Sequence, residues 1–306
     1  MTSLADLAEL VRAPAALSVP GDVLAGAAAS GALDRRTPVL AGASVLLYWA
    51  GMAANDWADR RLDAVERPER PIPSGRVSPP SALGLAAGLT AAGLALATAA
   101  GGRRAAAVAV PLATTIWGYD LLAKNTAAGP AVMAACRGLD VLLGATSAGP
   151  DRAPAARRSG AAAPGGWASP SAGARLARAL PAALTVAAHT WTVTALSRRE
   201  VTGADRRLPR ATLAGTAVVA ASALGRADPV PVALAAGYAT RYGSAQAKVL
   251  ADPSPGRVRA AVAAGITGLP ALQGALTARA GARLLGLAVA VAAPLGRRLA
   301  RLVSPT

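Results

Sequence analysis

The sequence predicts an all-α, polytopic bundle of membrane helices, and three observations carry that expectation. Of the 306 residues, 53% are hydrophobic and only 16% charged, against roughly 25% charged in soluble domains. The mean hydropathy is +0.39. The apolar residues also fall in blocks close to the ~20 residues that a helix needs to cross a hydrocarbon core about 30 Å thick. No block alternates with the period of two that a membrane barrel requires, and blocks of this kind set the chain apart from a disordered one rich in Gly and Pro.

The blocks lie at 13–33, 37–57, 80–101, 105–122, 128–149, 177–197, 208–225, 229–249, 257–278 and 282–303. The first follows Asp6 and Glu9 rather than a basic segment and has no convincing small-residue cleavage site, so it reads as a span and not a removed leader. Those that follow are rich in Ala and Gly, which allows helices to approach closely through small faces. The stretch "GPDRAPAARRSGAAAPGGWASPSAG", 149–173, is Pro, Gly, Ser and Ala with scattered arginines. It reads as a long flexible loop, 150–173, joining halves 1–149 and 174–306 of one membrane-embedded domain. The single cysteine, Cys136, excludes a disulfide framework and a thiolate metal cluster.

Charge sets orientation. With successive blocks taken as spans, the N-terminus, the C-terminus and alternate loops hold the excess of Lys and Arg, which marks the cytoplasmic side of a cell membrane. The net charge of +16 sits in short loops without the aromatic interleaving of a single-strand binder, so nucleic acid is not the expected partner. Anionic headgroups of the lipid bilayer and an anionic substrate are.

One loop stands out. After the uncharged stretch 37–54 comes "NDWADRRLDAVERPERP", with five of the chain's 16 acidic residues. If the second helix continues through it, Asp56 and Asp63 lie on nearly one meridian with Asp59 within about 60°. Like charges so placed repel unless cations sit among them. Seven residues also span roughly 10 Å, too far for one ion. Two hard cations bridging an anionic ligand fit, since Mg²⁺ is usually held by one or two carboxylates plus substrate phosphates. Arg60, Arg61, Arg67, Arg70 and Arg76 supply guanidinium forks that match phosphate oxygens. A solvated loop balancing its own charges is the alternative.

"NDWADRRLDAVERPERPIPSG", Asn55 to Gly75, resembles the first aspartate-rich signature of the UbiA superfamily of intramembrane prenyltransferases. "YDLLAKNTAAGPAVMAACRGLDVLLGA" is similar to that family's Tyr-x(4)-Lys stretch, with Tyr119 and Lys124 at its marked positions. The resemblance implies a bundle of about nine transmembrane helices around a cavity open sideways to lipid; the blocks outnumber nine by one. It implies transfer of an isoprenoid chain from a prenyl diphosphate donor to an unknown small-molecule acceptor, with Mg²⁺ as cofactor. It further implies Asn55, Asp56, Asp59 and Asp63 at the metal–diphosphate site, Lys124, Arg67 and Arg70 on phosphate oxygens, and Tyr119 in the cavity wall.

The family's second aspartate-rich motif is altered. The corresponding place is "SRREVTGAD", with Ser197 and Glu200 where aspartates are expected and Asp205 displaced by one. Either Glu200 and Asp205 serve as metal ligands, or Arg198 and Arg199 contact phosphate instead. A third reading is a catalytically inactive, lipid-binding homologue. This stretch is also similar to that of the EboC-like branch of the superfamily. A transporter of an anionic solute is the alternative from another class, but the two halves show no internal repeat of the kind transporters carry.

Other polar residues inside the blocks are costly in lipid and should face a cavity or one another. Asp22 reads either as an acceptor contact or as a residue bonded within its helix, Arg137 and Asp140 as a structural ion pair at i, i+3, His189 as a hydrogen-bonded packing residue in preference to a general base, and Arg241 as a further inward-facing charge. Tyr238 and Tyr242 are expected at a membrane interface. With 3% aromatic residues and no Phe, stacking surface for an aromatic acceptor is scarce, which tilts the expectation to a polar hydroxyl compound over an aromatic or quinone precursor.

Overall fold

The structure, a computed structural model, describes residues 2–13, 18–147, 171–225 and 228–292. Among them the regular structure is helical throughout: α1 (Leu4–Leu10), α2 (Pro20–Ser30), α3 (Thr37–Glu66), α4 (Pro79–Gly118), α5 (Gly129–Gly144), α6 (Ala172–Ser197), α7 (Arg207–Ser222), α8 (Pro229–Tyr238), α9 (Ser244–Ala251) and α10 (Pro255–Arg279), then α11 (Arg283–Ala292). A π-helical turn, Tyr119–Ala123, ends α4, and another, Ala239–Gly243, joins α8 to α9. Among the described residues four helical stretches are long and apolar enough to cross a membrane: Thr37–Glu66, Pro79–Ala123, Ala172–Ser197 and Pro255–Arg279. Residues 150–170 of the expected flexible loop lie outside the described residues, and Ser171 already caps α6 by accepting from the Ala174 amide.

Sequence explains the main boundaries. Prolines in the first turn open α2, α3, α4, α5, α8 and α10, where the missing N–H leaves no bond unmade. α2 stops at Gly31, whose φ of 69° closes the helix in the left-handed region. α3 stops at Arg67, the residue before Pro68, which is pushed out of helical conformation. Its 30 residues make a rod about 45 Å long, about 15 Å more than the hydrocarbon core. The last turns, with Asn55 to Asp63, therefore project beyond the apolar layer.

α4 is a hairpin of two helical limbs. Gly102 has φ 63° and ψ −153°, and the Trp117 indole N–H donates to Thr90 Oγ at 3.0 Å. Along a straight helix those residues would stand about 40 Å apart. The two blocks 80–101 and 105–122 are thus the two limbs. Both pack against α3, whose Leu40, Ala43 and Leu47 share a core with Ala97 and Ala100 of the first limb and Ala105, Ala109 and Leu112 of the second.

A second core joins α2 and α5 to α6, α8 and α10, through residues such as Ala25, Val141, Val186, Tyr238 and Leu272, so it crosses the two sequence halves. α2 and α5 touch backbone to backbone. A Cβ added at Gly26 would fall 1.7 Å from the Val141 carbonyl oxygen, and one at Gly144 would fall 2.0 Å from that of Val23. Overpacking costs about 1–3 kcal/mol where neighbours can give, and here the obstacle is backbone. Gly144→Leu should therefore lower the thermal unfolding temperature in detergent more than Gly84→Leu, a site where an added Cβ meets nothing; equal shifts would contradict this packing.

Loops sort to two ends. At one, Arg76 reaches Asp6, Lys124 reaches Asp59, Arg198 donates to Thr126 O, and the Ala204 amide donates to Pro253 O. At the other, Ser147 bonds Ala32 O, Gly101 abuts Thr146 and Arg283 pairs with Asp228.

Several expectations are corrected. α1 is a helix the block pattern did not anticipate, since one face of Leu4–Leu10 is charged. Tyr238 and Tyr242 are fully buried rather than interfacial: Tyr238 bonds His189 at 2.9 Å and Tyr242 bonds Thr192 at 3.2 Å. Arg241 faces outward and donates to Thr267 at 3.0 Å. Arg137 forms its ion pair with Asp22, at 2.8 Å, instead of Asp140. Asp140 accepts from Ser44. Spacing at i, i+3 allowed the first pairing, but the guanidinium is drawn across the bundle to α2.

Candidate functional site

The end of α3 carries the site. Asp56 and Asp63 are 4% and 2% exposed and share one guanidinium: Arg70 donates to Asp63 at 2.6 Å and stands 3.5 Å from Asp56. Two carboxylates seven residues apart on one helix face are thus bridged by a cation, as their mutual repulsion requires. Asp59 lies to the side of that pair, where Lys124 Nζ donates to it at 2.5 Å and to Asn55 Oδ1 at 3.0 Å. Asn55, Asp56, Asp59 and Asp63, expected together on one helix end, adjoin here, and Lys124, which the resemblance added, reaches them from the far end of the α4 hairpin.

Arg70 is fixed by the loop that follows α3. Three prolines stiffen residues 68–73, Gly75 turns the chain with φ 76°, and Ile72 and Val77 are buried against Ala53, Ala54 and Ala82. Ser74 Oγ donates to the Arg70 carbonyl at 2.7 Å. Arg67, half exposed, stands 3.7 Å from Asp63. Arg60 lies over the Trp57 ring at 4.5 Å. Arg76 does not face the carboxylates: it clasps Asp6 and Glu9 of α1, each at 2.7 Å. The Ser3 hydroxyl and backbone bonds, with Arg76, hold the Asp6 carboxyl down at about 2.

That clasp positions Arg12, which sequence reasoning missed. It follows α1 with a left-handed φ of 46°, a strained conformation for a residue with a Cβ, and donates to Asp56 at 2.7 Å. Forty-four positions separate the pair, so no local spacing could signal it. Asp120, visible in "YDLLAK" beside Tyr119 but not singled out, is the second omission. It is 7% exposed, and Lys124, Asp59, Arg12 and Asp56 are its charged neighbours.

Below these groups lies a cavity of about 320 Å³. Its wall includes Val11, Tyr48, Trp49, Met52, Tyr119, Met133, Arg137, His189, Ser197 and Leu269. Met52 is one turn from Asp56, Val11 precedes Arg12 and Ser197 precedes Arg198, so the cavity ends against the charged groups. Tyr119 is in the wall, as the motif implied. Three of the nine Trp and Tyr residues, Tyr48, Trp49 and Tyr119, line it. Asp22 is fully buried behind the wall, held by Arg137 at 2.8 Å and by the Gln273 amide at 2.6 Å. His189 lines the cavity and bonds Tyr238.

The altered loop lies beside the site. Arg198 donates to Thr126 O and, at 3.4 Å, to Lys124 O, which ties the α6–α7 loop to the turn bearing Lys124. Arg199 is exposed. The Glu200 carbonyl accepts from Arg259 at 2.9 Å, and partial burial raises its carboxyl above the ordinary value against the pull of Arg259. Asp205 accepts from the Arg207 and Leu208 amides at 3.0 Å. It caps α7, and those backbone bonds lower its pKa.

The donor set on α3, an amide and three carboxylates, consists of hard oxygens of the kind Mg²⁺ takes, and the burial of Asp56 and Asp63 demands a cation. Among the described residues no three carboxylate, imidazole or thiol groups converge on one point, and the cations beside the carboxylates are Arg12, Arg67, Arg70 and Lys124.

The UbiA prenyltransferase family model matches residues 17–300. Digeranylgeranylglyceryl phosphate synthase of Methanothrix thermoacetophila is 48% identical over 80 residues, 25% of this chain and 30% of the relative. The synthase of that name from Natronomonas pharaonis is 32% identical over 155 residues, 50% of this chain and 56% of the relative. The chain thus matches between about a third and about half the length of these curated relatives. The solved structure of a UbiA homolog from Archaeoglobus fulgidus bound to GPP and Mg²⁺ superposes with a TM-score of 0.59 at 13% identity, over 93% of this chain and 99% of the other, a likeness of fold. The chain belongs to the UbiA prenyltransferase family.

Proposed function

We propose that this chain transfers a prenyl group from an allylic prenyl diphosphate to a hydroxyl acceptor, with the diphosphate held at the cytoplasmic face of a cell membrane. The observation that carries the reading is the row Asn55, Asp56, Asp59 and Asp63, with Arg12, Arg70 and Lys124 among them, set against an apolar cavity. A diphosphate fits the charged end and an isoprenoid tail the cavity. The relatives named for a glyceryl phosphate product favour a hydroxyl acceptor.

The carboxylates and Asn55 would hold Mg²⁺, which when bound neutralises charge building on the leaving oxygens. Arg67, Arg70 and Lys124 offer N–H donors to phosphate oxygens, and Arg198 and Arg199 stand at the rim. As the allylic C–O bond breaks, its electron pair leaves with the diphosphate. The rings of Tyr48, Trp49 and Tyr119 offer π-faces to the allylic cation. The acceptor oxygen then forms the new C–O bond and gives its proton to the released diphosphate anion, while the apolar wall keeps water from competing.

Detergent-purified protein, Mg²⁺ and radiolabelled prenyl diphosphates of several lengths should release diphosphate and give a lipid-soluble product with glycerol phosphate or sugar acceptors. No consumption of any donor would defeat the reading. Orientation is tested separately. Ser74 and Thr202 are exposed in loops at the same end of the bundle. Single cysteines there, with Cys136→Ser, should both react with an impermeant thiol reagent only from the cytoplasmic face; labelling from the opposite face would reverse the topology and separate the site from a cytosolic donor.

A further inference from the structure

We infer that Asp120 supplies a carboxylate ligand to the metal–diphosphate site, standing in for an aspartate that the α6–α7 loop lacks. The inference deepens the donor-site reading above and rests on it.

Asp120 lies on the π-helical turn Tyr119–Ala123. Such a turn inserts one residue into the helical repeat and re-aims the side chains around it, and π-turns recur at functional sites. Here Tyr119 lines the cavity, while Asp120 is more than nine-tenths buried. Among the described residues its carboxylate makes no hydrogen bond and no ion pair, whereas Asp56, Asp59 and Asp63 each hold a cationic partner. An unpaired buried carboxylate is costly, so a site that retains one is organised for a cation that arrives with a ligand.

Its position fits that role. Gly51, Asn55 and Asp59 form one i, i+4 row on α3. A Cβ at Gly51 would lie 3.2 Å from Asp120 Oδ2, so the missing side chain lets the carboxylate approach at the cavity end of the row. The charged groups facing it are Lys124, Asp59, Arg12 and Asp56. Of the carboxylates of "SRREVTGAD", Asp205 is taken up by the first amides of α7, while Glu200 makes no side-chain hydrogen bond or ion pair among the described residues and has Arg259 as its charged neighbour. Carboxylate oxygen suits a hard divalent cation better than an amide does. Asp120 thus restores an anionic ligand from a different helix.

The test is Mn²⁺ binding, followed by electron paramagnetic resonance, to the full chain in detergent with inorganic diphosphate present. Asp120→Asn should weaken Mn²⁺ binding by at least the roughly tenfold that loss of even an outer-sphere partner brings, with an unchanged elution profile and metal-free unfolding temperature. Asp120→Glu should restore most of the affinity and keeps the question open to refutation if the Asn variant misfolds. A binding curve for Asp120→Asn that superposes on wild type overturns the assignment, including when turnover falls, since that would make Asp120 a proton acceptor or packing residue. Binding lost in Asp56→Asn but kept in Asp120→Asn overturns the Asp120 assignment alone. Absence of Mn²⁺ binding in wild type overturns it together with the donor-site reading.

Discussion

Asp56→Asn is expected to reduce prenyl transfer by at least about 100-fold, the scale seen when one preorganised group that stabilises developing charge is removed. The isosteric amide keeps the shape of the site but weakens its hold on a hard cation, because one of three carboxylates in the row is gone. The fold should survive. Arg12 is 39% exposed at its side chain, so water solvates it once released, and an ion pair with so exposed a member contributes at most about 1 kcal/mol. Arg70 keeps Asp63 as partner at 2.6 Å. Asp59→Asn should act similarly on rate, and it frees Lys124 from its 2.5 Å bond. The measurement is turnover at saturating donor, beside an unfolding temperature for each variant. Wild-type turnover in both would remove the carboxylate row from the mechanism.

Much of this site was legible because the covalent sequence itself builds it. Asn55, Asp56, Asp59 and Asp63 share an uninterrupted helix, so helical geometry alone puts them on adjoining faces. The proline-rich loop after them is short, which fixes Arg70 nearby. Lys124 was reached through resemblance, and its contact with Asp59 depends on the α4 hairpin, whose turn at Gly101–Gly102 shows in the sequence as a gap between two apolar blocks. What stayed hidden depends on long-range packing. Arg12 meets Asp56 only because Arg76 clasps Asp6 and Glu9, a tertiary contact with no periodic signal. Asp120 sits on a π-turn, which the sequence does not announce. Tyr238 and Tyr242 looked interfacial because amphipathic rings usually are, yet His189 and Thr192 offered buried partners for both hydroxyls, and a satisfied hydroxyl no longer needs water.

Arg137→Met is expected to be the most destabilising single change in the core, by about 3–5 kcal/mol, since removing one partner of a buried pair strands the opposite charge. Arg137 is 6% exposed and Asp22 fully buried. The guanidinium contacts Asp22 at 2.8 Å, donates to Ser18 O at 3.3 Å and lies over the Tyr48 ring at 5.5 Å. It therefore links α5 to α2, to the segment before α2, and to α3. Gln273 completes the knot from α10, donating to both Asp22 and Ser18 O. Methionine fills comparable volume and leaves Asp22 with the Gln273 amide alone. At about 2–4 °C per kcal/mol for domains of 150–250 residues, the unfolding temperature should fall on the order of 10 °C. The double variant Arg137→Met, Asp22→Asn should recover part of that loss, because the stranded charge is then gone. If the two single losses simply add, the charges are not coupled and this picture of the knot is wrong. Arg137 also lines the cavity, so the double variant, refolded but with a neutral wall, separates the two roles: a restored unfolding temperature with unrestored turnover would mean that the cavity needs the cation itself and not only the packing it secures.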